Sequence, residues 1–293
     1  MADDWHDGGP ATLGQSHRFT YESVAAGVGL EVSVALPAFY EAVTDPRPVV
    51  YVLDGDLTFA MAAPIARAYE LLALGRFPSL VVVGIGYAGN DLFEVMSRRM
   101  LDLSTTASPG TSATSAAATA AARHGFGGAP AFLDALRDEI IPEVERRFRV
   151  DPTDRTLAGW SLGGLFGLHV LFSEPELFRR YLLVSPSIWW DGGDILEREA
   201  EWSSRHDDLR AELFLAVGDR EETSVTRSWP EMPADLAAEA QMVSNVHRFG
   251  ERLRSRGYRS LQVSTAVLDE EHHTSVFPAA FGLGLRRLHA GVR

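Results

Sequence analysis

The chain contains no cysteine. That absence excludes disulfides, thiolate metal sites and a cysteine nucleophile, and it predicts a reducing compartment, the cytoplasm. Positive charge is also scarce: 27 Lys and Arg stand against 40 Asp and Glu, a formal net charge of -13. A surface of that sign repels phosphate backbones and anionic lipid, so neither nucleic acid nor membrane is an expected partner. A small anionic molecule remains compatible, because a pocket can carry local arginines against the global sign. No apolar run approaches the ~20 residues needed to span a bilayer. The opening MADDWHDGGP is acidic and polar where a secretory leader would be basic and then apolar, which again predicts a cytoplasmic protein.

With 293 residues and 46% hydrophobic content, the chain can close a large core, and one domain over residues 1–293 is expected. HRFTYES and GLEVSVALP read as an antiparallel pair. PVVYVLD and LVVVGIG are continuous β-branched runs of the kind found in a sheet buried on both faces. RTLAGW, YLLVSP, AELFLAVG and SLQVSTAVL follow as further strands. Helical patterns alternate with them: FAMAAPIARAYELLALG up to Gly75, AFLDALRDEIIPEVERRF with a kink at Pro142, and a face of Val243, Val246, Phe249 and Leu253. The alternation predicts an α/β fold with a mostly parallel sheet and helices on both faces. Two segments interrupt it. Residues 103–128 are rich in Ala, Ser, Thr and Gly, and residues 221–240 follow a strand end and carry Trp229. Both are lid or insertion candidates.

Gly159-Trp160-Ser161-Leu162-Gly163 fits G-x-S-x-G, with a strand pattern before it and a helical pattern after it. On a sharp strand-to-helix turn the serine hydroxyl is lifted clear of the sheet, and the Leu162 amide points at a developing oxyanion. Ser161 is therefore the candidate nucleophile, and a hydroxyl needs a base and an orienting acid. Of nine histidines, only His272 and His273 follow the last strand pattern, ahead of a helix whose cap is expected at Ser275. Periodicity does not separate the two. The penultimate strand ends in Asp219, Glu221 and Glu222, any of which could supply the acid.

Taken in order, YVLDGDLTF, VVVGIGY, SRRMLDLSTT, TLAGWSLGGLFGLHVLF, VSPSIWW, AVGDREE and HHTSVFP resemble the putative-esterase family of α/β-hydrolases. The resemblance is strongest to its branch of hydrolases related to ferric-siderophore esterases of the bacillibactin and enterobactin type. It implies the α/β-hydrolase fold and an acyl-enzyme mechanism on a small-molecule ester, with no metal or other cofactor in the chemistry. It also implies His273 as base, Glu221 as acid, and an oxyanion site formed by the amides of Leu162 and Asp56, the latter following the pair Asp54-Gly55. Arg99, in a segment shared with Asp102, matches an arginine that contacts substrate in the siderophore branch, although a salt-bridged turn explains the same residues. Trp189 and Trp190 match an aromatic pocket wall, with plain packing as the alternative. A transacylase, thioesterase or lactonase would use the same residues, and a binding protein on this scaffold would be expected to lack the serine or the histidine.

Overall fold

The computed structural model describes residues 13–73, 76–89, 91–107, 122–223 and 240–289. The central parts of both lid candidates, residues 108–121 and 224–239, lie outside the described residues, as do Gly75 and Trp229.

Eight strands form one sheet in the order β1-β2-β4-β3-β5-β6-β7-β8. β1 (Ser16–Ser23) pairs antiparallel with β2 (Val28–Ala35), and β2 pairs antiparallel with β4 (Val81–Tyr87). From β4 onward every pairing is parallel, through β3 (Arg47–Leu53), β5 (Val150–Trp160), β6 (Arg180–Val184), β7 (Ala211–Gly218) and β8 (Leu261–Leu268). This is the mostly parallel α/β arrangement the alternating patterns predict. The buried runs behave as a two-faced sheet requires. Val49, Tyr51, Leu53, Leu157, Leu183 and Leu215 point into one core, while Val50, Val52, Ala158, Leu182, Val184 and Ala216 point into the other.

Helices α1 (Gly55–Leu72) and α8 (Val276–His289) cover the second face. The first face is covered by α2 (Leu92–Leu103), a three-part helix α3 (residues 129–147), α4 (Leu162–Ser173), α5 (Asp194–Arg205) and α7 (Met242–Ser255), with the short α6 (Arg220–Thr223) between β7 and α7. The expected face of α7 holds, since Val246, Phe249 and Leu253 are buried and Val243 packs partly buried against the same core. α4 is apolar on every side and buried from Leu162 to Phe172, as a helix in the middle of a core should be.

At Pro142, where a kink is expected, the helix is π-wound just ahead of the proline. α3 runs as Ala129–Asp134, then a π-wound stretch Ala135–Ile140, then Ile141–Arg147 with Pro142 in its first turn. A proline cannot donate to the carbonyl four residues back and its ring crowds it, so the widened turn just ahead accommodates both defects.

Two histidines are deeply buried. His169 on α4 is 4% exposed, and burial lowers its pKa to about 4, aided by Arg198. His289 at the end of α8 is fully buried, with Nε2 3.2 Å from Thr156 Oγ1. Burial first, then Arg180 and Arg179, lowers it to about 3. Both are therefore neutral in the folded protein while the unfolded chain titrates near 6.5. Between these values the unfolded state binds more protons, so stability is present above pH 6.5 and falls as pH drops toward the folded values. Urea unfolding from pH 7 to 4 should show this fall, and His289→Phe should flatten the slope by up to about 1.4 kcal/mol per pH unit. An unchanged slope would mean that His289 is not held neutral.

Candidate active site

The register of the parallel strands brings their C-terminal ends to one edge, with Trp160 opposite Val184, Val184 opposite Ala216 and Gly218 opposite Leu268. The candidate site residues gather at this edge. β5 ends at Trp160 and α4 starts at Leu162, so Ser161 alone makes the turn, at φ 62° and ψ -118°. A side-chain-bearing residue held there stores roughly 1–3 kcal/mol of strain. The turn is pinned on both sides. Ser161 N–H donates to the Val184 carbonyl at 3.0 Å, and the Ser161 carbonyl accepts from Leu165 N–H at 3.0 Å and Ser187 N–H at 3.1 Å. A Cβ on Gly159 would overlap the Gly163 carbonyl oxygen, which is why the motif needs a glycine there. Leu162, first in α4, has an N–H that no intrahelical carbonyl can accept, at the positive end of the helix dipole.

The loop after β8 brings His273 rather than His272 to Glu221. His273 Nδ1 lies 2.6 Å from Glu221 Oε2, and the imidazole packs on the Trp160 indole with ring centroids 5.3 Å apart, beside the serine. The other Glu221 oxygen accepts from Ser185 Oγ at 2.5 Å and from Gly218 N–H at 2.7 Å. With its side chain 1% exposed, Glu221 is thus held on three sides. Its neighbours are engaged elsewhere. Glu222 accepts from Ser244 N–H and Oγ, both at 2.6 Å, and Asp219 lies 3.6 Å from Arg220. The loops that carry Glu221 and His273 are stitched together by Arg220 N–H to the Glu271 carbonyl at 3.1 Å and by Arg220 to Glu270 at 2.7 Å. Ser275 stands immediately ahead of α8, at the expected cap position. Its hydroxyl turns back, accepting from His272 N–H at 3.0 Å and donating to the Glu271 carboxylate, so it shapes the loop that carries His273.

At the end of β3, Asp54 takes a left-handed conformation (φ 56°, ψ 45°) and its carbonyl accepts from Leu57 and Thr58 N–H, both at 2.9 Å, starting α1. Asp56 is anchored by its own side chain, with Oδ1 accepting from Tyr87 N–H at 2.9 Å. Gly86 on β4 leaves room for that carboxylate, which any Cβ there would displace. Burial raises the Asp56 carboxyl above its ordinary value, against the pull of the Tyr87 N–H. Arg99 chelates Asp54 through Nε to Oδ1 at 2.7 Å and Nη2 to Oδ2 at 3.0 Å, and Nη2 also donates to the Trp160 carbonyl at 3.2 Å. It pairs with Asp54 and not with Asp102, whose carboxyl burial pushes up to about 6. Trp190 is buried, its Nε1 donating to Thr106 Oγ1 at 3.0 Å, and Trp189 is half-buried against it with centroids 6.0 Å apart.

Sequence reasoning missed Ser185, the Trp160 ring and the Asp54 carboxylate. Only the Ser-Pro-Ser after β6 hinted at the first. Among the described residues no group of three or more His, Asp or Glu is arranged to hold a metal ion, and no helix is long and apolar enough to cross a membrane.

Such a sheet with a serine at a strained strand-to-helix turn, and a histidine–carboxylate pair beside it, defines an α/β serine hydrolase. The family model described as "Putative esterase" matches residues 23–281, and the chain belongs to that family, as a carboxylic ester hydrolase. It is 29% identical over 291 residues to the siderophore triacetylfusarinine C esterase of Aspergillus fumigatus, covering 94% of each chain. To the siderophore enterobactin esterase of Emericella nidulans it is 33% identical over 258 residues, 80% of this chain and 79% of that one. The solved structure of the siderophore hydrolase EstA from Aspergillus nidulans superposes with a TM-score of 0.79 at 27% identity, covering 96% of this chain and 97% of that one. The chain is thus siderophore-esterase-like.

Because a Cβ at position 159 would meet backbone that is already pinned, Gly159→Ala should lower kcat for a p-nitrophenyl ester by at least about 100-fold, the scale of an ångström-sized misplacement. Steady-state hydrolysis measures it, and a wild-type kcat would show that the elbow tolerates the contact.

Proposed function

We propose that the protein hydrolyses a siderophore-type lactone or a related small-molecule ester through a Ser161 acyl-enzyme. The observation that carries this reading is the Glu221–His273 hydrogen bond at 2.6 Å, set beside the strained turn that presents Ser161. With Nδ1 committed to Glu221, the imidazole offers Nε2 to the serine hydroxyl. His273 takes the Ser161 Oγ proton as Oγ attacks the ester carbonyl, and the carbonyl oxygen becomes an oxyanion facing the amides of Leu162 and Asp56. Collapse breaks the bond to the alcohol, which leaves with the proton from His273. A water then repeats the sequence on the acyl-enzyme and releases the acid. Each oxyanion donor contributes about 3–4 kcal/mol in enzymes of this kind.

The substrate class rests on the relatives' names and on local chemistry. Nη1 is the one guanidinium nitrogen of Arg99 outside its contacts with Asp54 and Trp160, so it is the group that meets an anionic substrate. Trp189, braced by Trp190, supplies an aromatic wall suited to catechol-like or other flat groups.

Ser161→Ala should lower kcat for a short p-nitrophenyl ester by about 10⁶-fold, His273→Ala by a similar factor, and Glu221→Ala by about 10⁴-fold, the pattern of a serine, its base and an orienting acid. Wild-type turnover by the Ser161 variant would remove the mechanism. Acyl transfer to an added alcohol that outpaces hydrolysis would redirect the reading to a transacylase.

A further inference from the structure

The Asp54–Arg99 pair belongs to neither the nucleophile, base nor acid, yet it sits between the two halves of the oxyanion site. Asp54 opens the turn from β3 into α1 that carries the Asp56 amide. Its carboxylate reaches the other way, to the first turn of α4, where Oδ2 lies 3.2 Å from the point a Cβ on Gly163 would occupy. Asp54 therefore belongs to the segment that carries the Asp56 amide and reaches with its carboxylate to the segment that carries the Leu162 amide, the two that are to receive the oxyanion. The side chain of Asp54 is 2% exposed and that of Arg99 12% exposed. Arg99 comes from a third element, α2, and binds both segments at once. Nε and Nη2 chelate Asp54, while Nη2 also holds the carbonyl of Trp160, the residue bonded to Ser161.

We propose that Arg99 is a positioning residue for the reaction. Its planar guanidinium locks the Asp54–Asp56 turn to the nucleophile turn at one spacing, and its charge cancels the Asp54 carboxylate beside the developing oxyanion. The inference rests on the hydrolase reading given above. Two physical arguments support it. A fork of fixed geometry transmits position in a way a single point contact does not, so the spacing of the two amides is set before substrate arrives. A buried carboxylate left without its partner would oppose a second negative charge forming close by in a site that screens poorly. Burial works against a charged Arg99, but the contacts with Asp54, together with Tyr87 and Asp56, hold the guanidinium above its ordinary value.

A neutral p-nitrophenyl ester separates this role from substrate binding, because it carries no anion for Arg99 to meet. With that ester, Arg99→Gln should lower kcat about 100-fold while KM stays within about threefold, and Arg99→Lys should recover part of the loss by restoring the charge without the fork. Asp54→Asn combined with Arg99→Gln should be about tenfold faster than Arg99→Gln alone, since the uncompensated carboxylate is gone. If Arg99→Gln fails to fold, as judged by circular dichroism, the double variant against wild type and Arg99→Lys carries the same comparison, with Arg99→Lys intermediate in kcat. A kcat on the neutral ester that Arg99→Gln or Arg99→Lys leaves unchanged overturns the proposal, as does a double variant as slow as Arg99→Gln. If wild type turns over the ester and Ser161→Ala does not, while Arg99→Gln keeps its kcat, only the positioning role fails. If Ser161→Ala matches wild type, it is the hydrolase reading that fails.

Discussion

A positive-φ serine can persist only where its surroundings over-determine it, and the whole edge of this sheet is organised around doing so. Ser161 is held by the ends of two strands and by the Ser187 amide, with α4 anchored in an apolar core on every side. A helix that could shift would let the turn relax and lose the strain that raises the hydroxyl above the sheet. The apolar run after the serine is therefore as much a part of the site as the serine itself. The same logic explains Gly159, where the backbone of α4 approaches too closely for any side chain.

Around that turn, each candidate site residue is fixed by a partner from another part of the chain. Glu221 depends on Ser185, which follows β6, and on the Gly218 amide at the end of β7. His273 depends on Glu221 and on the Trp160 ring, and Ser275 shapes its loop. The Asp56 amide depends on a carboxylate docked at the end of β4, and the Asp54 turn depends on Arg99 from α2. Pre-set contacts of this kind are what allow an electrostatic site to act without reorganising during the reaction.

The features legible in the sequence are the local ones. Continuous β-branched runs announced the buried parallel strands, and the glycines around Ser161 announced the sharp turn, because each reports on sterics within a few residues. Pro142 was legible as a defect, but the π-wound turn that absorbs it depends on how α3 packs. Choosing His273 over His272, or Glu221 over Asp219 and Glu222, needs the direction in which a loop points, and periodicity does not carry that. Family resemblance selected His273 and Glu221, and the structure brings those two together. The Asp54–Arg99 pair joins residues 45 apart through burial and a bidentate contact, and read along the chain Arg99 looked like a substrate contact or a partner for Asp102.

Hydrolysis by this protein depends on an activated hydroxyl at position 161. Reaction with a fluorophosphonate probe followed by peptide mapping tests this directly, without assuming a substrate. One adduct per chain is expected, on Ser161, with labelling strongly slowed in His273→Ala. Labelling at another residue, or an intact protein that does not react at all, would contradict it.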